Sequence, residues 1–401
     1  MKKPVIAALC CLLALGTATA AFAEEPTPTP APELVKLSPE DPAPQFYPDN
    51  ISWQEDGGQL LVVKQYSVPY GIAVADLTES GMQWGGSDYT LWGVTQSVEG
   101  GVTEEKEVTQ DFELSVRSAD AEGVRVQADI QYMQNPDLHI DLYQPADIAA
   151  LGARPAIVWI HGGGWISGSK EHARGYFKRL ADQGYNVVSV QYQFAPDVIY
   201  PAQLQQINQA LAFITAHAGE YQIDAGKLYL AGDSAGANMA SHYAAFVSNE
   251  NYAKSQNFQP AISISQLKGL ILHCGIYDLS HFVASAPDEI RLLEWGINNL
   301  VQAYTGDRKH DAAFLSSISP RQHVTPSYPP VFISGGNKDF LTESQSLPFA
   351  ETLKQQNVPV VEAFYPDSKE LLVHEYQFMM SKKASQLTFD RTIGFLQQLT
   401  P

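Results

Sequence analysis

Between Leu228 and Ser241 the chain reads LYLAGDSAGANMAS, and the Gly-Asp-Ser-Ala-Gly at its centre fits the pattern G-x-S-x-G. A serine hydroxyl attacks poorly unless a turn exposes it and a neighbouring base takes its proton. The residues before it, KLYLA, read as a strand, and those after it, ANMASHYAAFV, as a helix. That strand–turn–helix setting would push the Ser234 hydroxyl outward at a strained corner. Gly232 and Gly236 flank it where strand and helix pass too closely for side chains. Upstream, His161-Gly162-Gly163-Gly164-Trp165 ends another apolar run. Acyl transfer needs backbone N–H groups aimed at a developing oxyanion, and glycines let the backbone come close. Gly163 and Gly164, with Ala235 after the serine, are the expected donors. Gly162 shapes the turn, and His161 is expected to pin it by hydrogen bonds rather than to act as a base. As a phosphate cradle the run lacks the G-x-x-x-x-G-K-[ST] form.

These residues need a scaffold, and one is legible from about residue 121 onward. VRVQADIQY and LHIDLYQP read as strands joined by a turn at Pro136-Asp137. PAIVWI, NVVSVQYQF, KLYLAGDS, LKGLILHC, PPVFISGG and VPVVEAFY follow as strands with little alternation. Between them EHARGYFKRLADQGY, PAQLQQINQALAFITAH and ANMASHYAAFV read as helices, and ASQLTFDRTIGFLQQL closes the chain as another. Strands apolar on both faces, interleaved with helices, imply a mostly parallel, doubly wound sheet covered on both sides. Residues 278–328 interrupt the rhythm with an amphipathic stretch, DEIRLLEWGINNLVQAYTG. An insertion there would lie over the carboxyl ends of the strands as a helical cap.

Taken together, HGGGW, YQFAPDVIYPAQL (Tyr192 to Leu204) and GDSAG resemble the α/β-hydrolase esterases of the hormone-sensitive lipase and related carboxylesterase group. The resemblance covers about residues 121–401. One departure is Ala237, where many members of that group have a second glycine. The fold implies the chain order serine, acid, histidine. Of ten histidines only His374 follows the late strand PPVFISGG, so His374 becomes the base if Ser234 is the nucleophile. Asp339, in GGNKDFL, matches the group's acid position; Asp367 and Glu370, in the same loop as His374, are rivals by closeness in sequence. Asp233 is expected to point away from the hydroxyl and to serve the turn. The resemblance implies a serine carboxylic-ester hydrolase working through an acyl-enzyme. Two alternatives stand beside it: a serine peptidase of the same fold, and a binding module that has lost its chemistry.

The chain has 401 residues and a formal net charge of −19, with 45% hydrophobic and 17% charged residues. Such acidity disfavours nucleic acid and anionic membrane surfaces as partners. MKKPVIAALCCLLALGTATAAFAEE has the layout of a cleavable leader, with Lys2 and Lys3, a short apolar run, and Ala21-Phe22-Ala23 at the expected cut. The expectation is therefore an exported protein without a stable membrane anchor. Removing residues 1–23 removes Cys10 and Cys11 and leaves Cys274 alone, so the mature chain would hold no internal disulfide. Residues 24–50, rich in proline and acids, read as an extended linker. Residues 51–120 read as a small β-rich accessory region, with Trp84, Tyr89 and Trp92 filling its core or stacking on sugar rings. No metal-ligand spacing stands out and the hydrolysis needs no cofactor. The expected substrate is a small acyl ester or an acylated carbohydrate; oligomeric state is left open.

Overall fold

The computed structural model describes residues 124–284 and 291–400, the side chains of 291–296 excepted, together with the backbone of five strands nearer the N-terminus. Those five, Glu33–Leu37, Ile51–Asp56, Gln59–Lys64, Asp88–Gln96 and Thr103–Asp111, pair into one sheet in which Glu33–Leu37 is central. The leader read over residues 1–23 lies outside the described residues, as do Trp84 and the side chains of Tyr89 and Trp92.

The main sheet has eight strands: β1 (Val124–Met133), β2 (Leu138–Pro145), β3 (Arg154–Ile160), β4 (Asn186–Val190), β5 (Ile223–Asp233), β6 (Leu267–His273), β7 (Val331–Gly335) and β8 (Val360–Phe364). Their spatial order is β1-β2-β4-β3-β5-β6-β7-β8. β1 and β2 pair antiparallel, as do β2 and β4, and every other pairing is parallel. This is the α/β-hydrolase fold, a mostly parallel sheet wound on both faces.

The continuous apolar texture of the strands has a direct cause. Side chains alternate across a strand, and here both directions lead into a core. Ala156, Val158 and Ile160 of β3 enter one core, with α2 (Ala202–Ala216), α3 (Ala235–Ser248) and α5 (Leu347–Gln355). Ile157 and Trp159 enter the other, with α1 (Arg174–Asp182) and α6 (Lys383–Leu399). Each fully buried Ile or Leu in these layers contributes roughly 1.5–3 kcal/mol. The central strands are therefore rigid mounts for whatever sits at their carboxyl ends.

Between β6 and β7 the chain forms helices Leu279–Ala284, α4 (Arg291–Thr305) and Ala312–Ser317. Ile297, Leu300, Val301 and Tyr304 of α4 are buried in the first core. The Tyr304 ring stacks on Trp165 of the HGGGW run at 4.6 Å, and its carbonyl accepts from the Tyr200 amide at 2.8 Å. The insertion is thus packed onto the glycine turn. No helix among the described residues is long and apolar enough to cross a membrane.

Candidate active site

Ser234 is the hinge between β5 and α3, with φ 50° and ψ −118°, a backbone conformation that L residues adopt only under constraint. The constraint is close packing. A Cβ on Gly232 would lie 2.5 Å from the Gly236 carbonyl carbon, and one on Gly236 would lie 1.8 Å from the Ile160 oxygen. Only glycine at both positions lets the helix start this close to β3. Ala235 is the first residue of α3, so its N–H is among those that a helix N-terminus leaves without an intrahelical partner.

The HGGGW turn is fixed from several sides. Gly163, Gly164 and Trp165 have φ values of 104°, 60° and 63°, three successive left-handed residues. The Gly163 carbonyl accepts from the amides of Ile166 and Ser167, each at 3.1 Å. His161 is fully buried and donates from Nδ1 to the Gly162 carbonyl at 2.8 Å, while its ring stacks on Tyr192 at 4.3 Å. Tyr192 in turn donates its hydroxyl to the His161 carbonyl at 2.9 Å. Burial holds the His161 imidazole down to about 4, so it is neutral at ordinary pH. Asp233 points away from the Ser234 hydroxyl. Its Oδ1 accepts from Trp159 Nε1 and its Oδ2 from the Gly162 amide, both at 2.8 Å. The residue before the serine thereby ties the glycine turn to the elbow.

His374 and Asp339 meet. The Nδ1–H of His374 donates to Asp339 Oδ2 at 2.8 Å, and both side chains are buried. The loop after β7 holds the loop after β8. Asn337 donates to the carbonyls of Ser368 (2.9 Å) and Glu370 (3.1 Å) and accepts from the Leu372 amide (3.1 Å). Lys338 donates its amide to the Leu372 carbonyl at 2.9 Å. The rival acids go elsewhere: Asp367 is exposed, and Glu370 accepts from the amides of Lys383 and Ala384 at the start of α6. Burial works against a charged His374, but Cys274 and Asp339 outweigh it and hold the imidazole well above its ordinary value. Burial pushes the Cys274 thiol up to about 11, so it stays a neutral thiol at neutral pH.

Three residues that carry no signal in the sequence belong to this neighbourhood. Cys274, the residue after β6, lies within 4.8 Å of the Asp339 and His374 ligand atoms. Glu375, next to His374, accepts from His172 Nε2 at 3.1 Å and meets the Asp233 carboxyl. Since Asp233 precedes Ser234 and Glu375 follows His374, their contact brings the serine and histidine segments together. Burial and the Glu375 charge push Asp233 up to about 7. Glu375 is held down to about 2 because the His172 cation overrides its burial, and His172 rises to about 9 because Glu375 does the same for it. Among the described residues, Cys274–Asp339–His374 and His172–Asp233–Glu375 each bring three candidate metal ligands together, as does Asp129–Asp141–Glu171. The last of these surrounds the Lys170 ammonium.

A parallel sheet, a serine at a strained strand-to-helix turn, and a histidine–aspartate pair on the following loops define an α/β-hydrolase. The chain belongs to the BD-FAE family, whose sequence profile matches residues 140–353. It is 28% identical over 253 residues to a probable carboxylic ester hydrolase, LipM, of Mycobacterium tuberculosis, covering 62% of this chain and 55% of that protein. It is 26% identical to the esterase LipC of the same organism, over 56% of this chain and 54% of LipC. The chain thus spans about half the length of these curated relatives. Inhibited esterase B from Lactobacillus rhamnosis superposes with a TM-score of 0.60 at 24% identity, covering 70% of this chain and 88% of that one.

Proposed function

We propose that the chain is a serine carboxylic-ester hydrolase acting on short-chain or carbohydrate-linked acyl esters, exported after loss of residues 1–23. Ser234 is the nucleophile, His374 the general base and Asp339 the group that orients and stabilises the imidazolium. The amides of Gly163, Gly164 and Ala235 hold the oxyanion, His374 returns its proton to the leaving alcohol, and water repeats the cycle on the acyl-enzyme. The observation that carries this reading is the contact between the buried His374–Asp339 pair's loop and the Asp233–Ser234 turn, made through Glu375. The relatives' names as esterases support the reaction class, and a structure of esterase B inhibited by a tributyrin phosphonate supports a short acyl chain.

The test is hydrolysis of chromogenic acetate, butyrate and longer esters by the purified protein, run beside acetylated xylan and compared with Ser234→Ala. Turnover of the short esters should fall by roughly 10⁴-fold or more in the variant. Undiminished activity in Ser234→Ala, or a parent protein inert toward every ester, would sink the proposal.

A further inference from the structure

Glu375 stands in a backbone conformation that its side chain alone would not choose. Its φ is 59° and ψ 23°, the left-handed region, and it caps the short helical turn Tyr376–Phe378. Non-glycine residues persist there only when their surroundings hold them. The holders are visible. Oε2 accepts from His172 Nε2 at 3.1 Å, and His172 belongs to the segment between the HGGGW turn and α1, 203 residues away in the chain. The other face of the carboxylate meets the Asp233 carboxyl and lies over Gly162, where a Cβ would sit 3.1 Å from Oε1 and 2.4 Å from Asp233 Oδ2. The same Oε1 is 3.9 Å from Nε2 of His374. One side chain therefore touches the oxyanion turn, the residue before the serine and the catalytic imidazole.

Building on the esterase reading, we infer that Glu375 is a positioning residue: clamped by His172 and Asp233, it locks the Gly162–Gly164 turn and the His374 loop into one register. Every member of the cluster has its role. Asp233 holds the Gly162 amide at 2.8 Å on one oxygen, and its carboxyl lies within 4.8 Å of the Glu375 carboxylate and the His172 ring nitrogen. His172, as a cation, neutralises the remaining charge. The groups facing this cluster from neighbouring segments are His374 from its own loop and, nearer the glycine turn, His161 and Glu171. If the clamp opens, the oxyanion donors and the imidazole lose their common reference. A misplacement near 1 Å at such a site costs on the order of 10²-fold in rate. The loss should fall on kcat, because the clamp acts on groups that bind the transition state rather than the substrate.

Glu375→Ala and Glu375→Gln separate the possibilities, each compared with the parent and with Ser234→Ala on a chromogenic butyrate ester. Glutamine keeps both contacts, its oxygen accepting from His172 as the carboxylate does and its amide donating to Asp233, which then accepts. The expected result is a 10- to 100-fold fall in kcat for Glu375→Ala, with KM within about threefold of the parent, and recovery of most of that loss in Glu375→Gln. Adding His172→Ala to Glu375→Ala should lower kcat little further, since both act through one contact. Parent-like kcat in Glu375→Ala, or an equal loss in Glu375→Gln at unchanged melting temperature, overturns the inference. If Glu375→Ala does not fold, Glu375→Gln paired with His172→Ala decides: a kcat loss in His172→Ala with KM preserved upholds the clamp, and an unchanged kcat removes it. A parent protein that hydrolyses no ester defeats the esterase reading instead, whereas an active parent with an inactive Ser234→Ala leaves that reading standing whatever the Glu375 variants do.

Discussion

The Nδ1 atom of His374 lies 2.8 Å from Oδ2 of Asp339, and the other Asp339 oxygen accepts the Leu341 amide at 3.0 Å. Both carboxylate oxygens are thus committed to N–H donors, which fixes the imidazole as the tautomer with its free nitrogen on Nε2. Asparagine in place of this aspartate would present an amide N–H to one of those donors and favour the wrong tautomer. Asp339→Asn should lower kcat by about 10⁴-fold while leaving the fold intact. The measurement is kcat on a butyrate ester alongside a melting curve; a variant within tenfold of the parent would remove Asp339 from the triad.

On the proposed mechanism, the charge state of His374 sets the acid side of the pH profile. Asp339 and the site around it hold the imidazole above its ordinary value, so the protonated form, which cannot accept the serine proton, persists to higher pH. Activity should therefore fall as pH drops, with the limb lying on the alkaline side of about 6.5 rather than below it. A kcat/KM profile that stays flat from pH 8 down to pH 6 contradicts this assignment.

Ser234 carries strain that can be read as stability. At φ 50° and ψ −118° an alanine suffers as serine does, whereas glycine does not. Part of that relief is offset by the greater freedom of glycine in the unfolded chain. Ser234→Gly should be more stable than Ser234→Ala by about 1 kcal/mol, a rise of roughly 2–4 °C in melting temperature for a domain of this size. Equal melting temperatures would mean that the elbow is relaxed.

The uneven legibility of this site has a physical basis. The elbow and the glycine turn are local: Gly232, Ser234 and Gly236 lie within five residues, and the chemistry of close approach can be read from their spacing. The strands are legible because both their faces are buried, which leaves continuous apolar runs such as PAIVWI. Strand order is not legible, because the placement of β4 between β2 and β3 depends on pairings across the whole sheet. Asp339 and His374 are visible only through the chain order that the fold imposes. His172 and Glu375 are invisible, since a histidine early in the chain and a glutamate beside His374 acquire meaning only when folding closes a 203-residue gap. Asn337, which fastens the acid loop to the histidine loop, leaves no signal beyond its place in GGNKD.

Two glycines should respond to the same substitution with opposite sign. In Gly236→Ala the new methyl group would have to sit 1.8 Å from the Ile160 oxygen, a contact with backbone that cannot rotate away. α3 must then lift from β3, and the loss of stability should be on the order of 3 kcal/mol. Gly394 lies inside α6, and a Cβ added there would meet no atom within 4 Å. There alanine removes backbone freedom from the unfolded chain and adds no clash, so Gly394→Ala should stabilise by about 0.5–1 kcal/mol. Urea denaturation of the two variants checks both signs at once. A Gly236→Ala protein as stable as the parent would show that the helix does not press on β3, and with it the packing argument for the strained serine would fail.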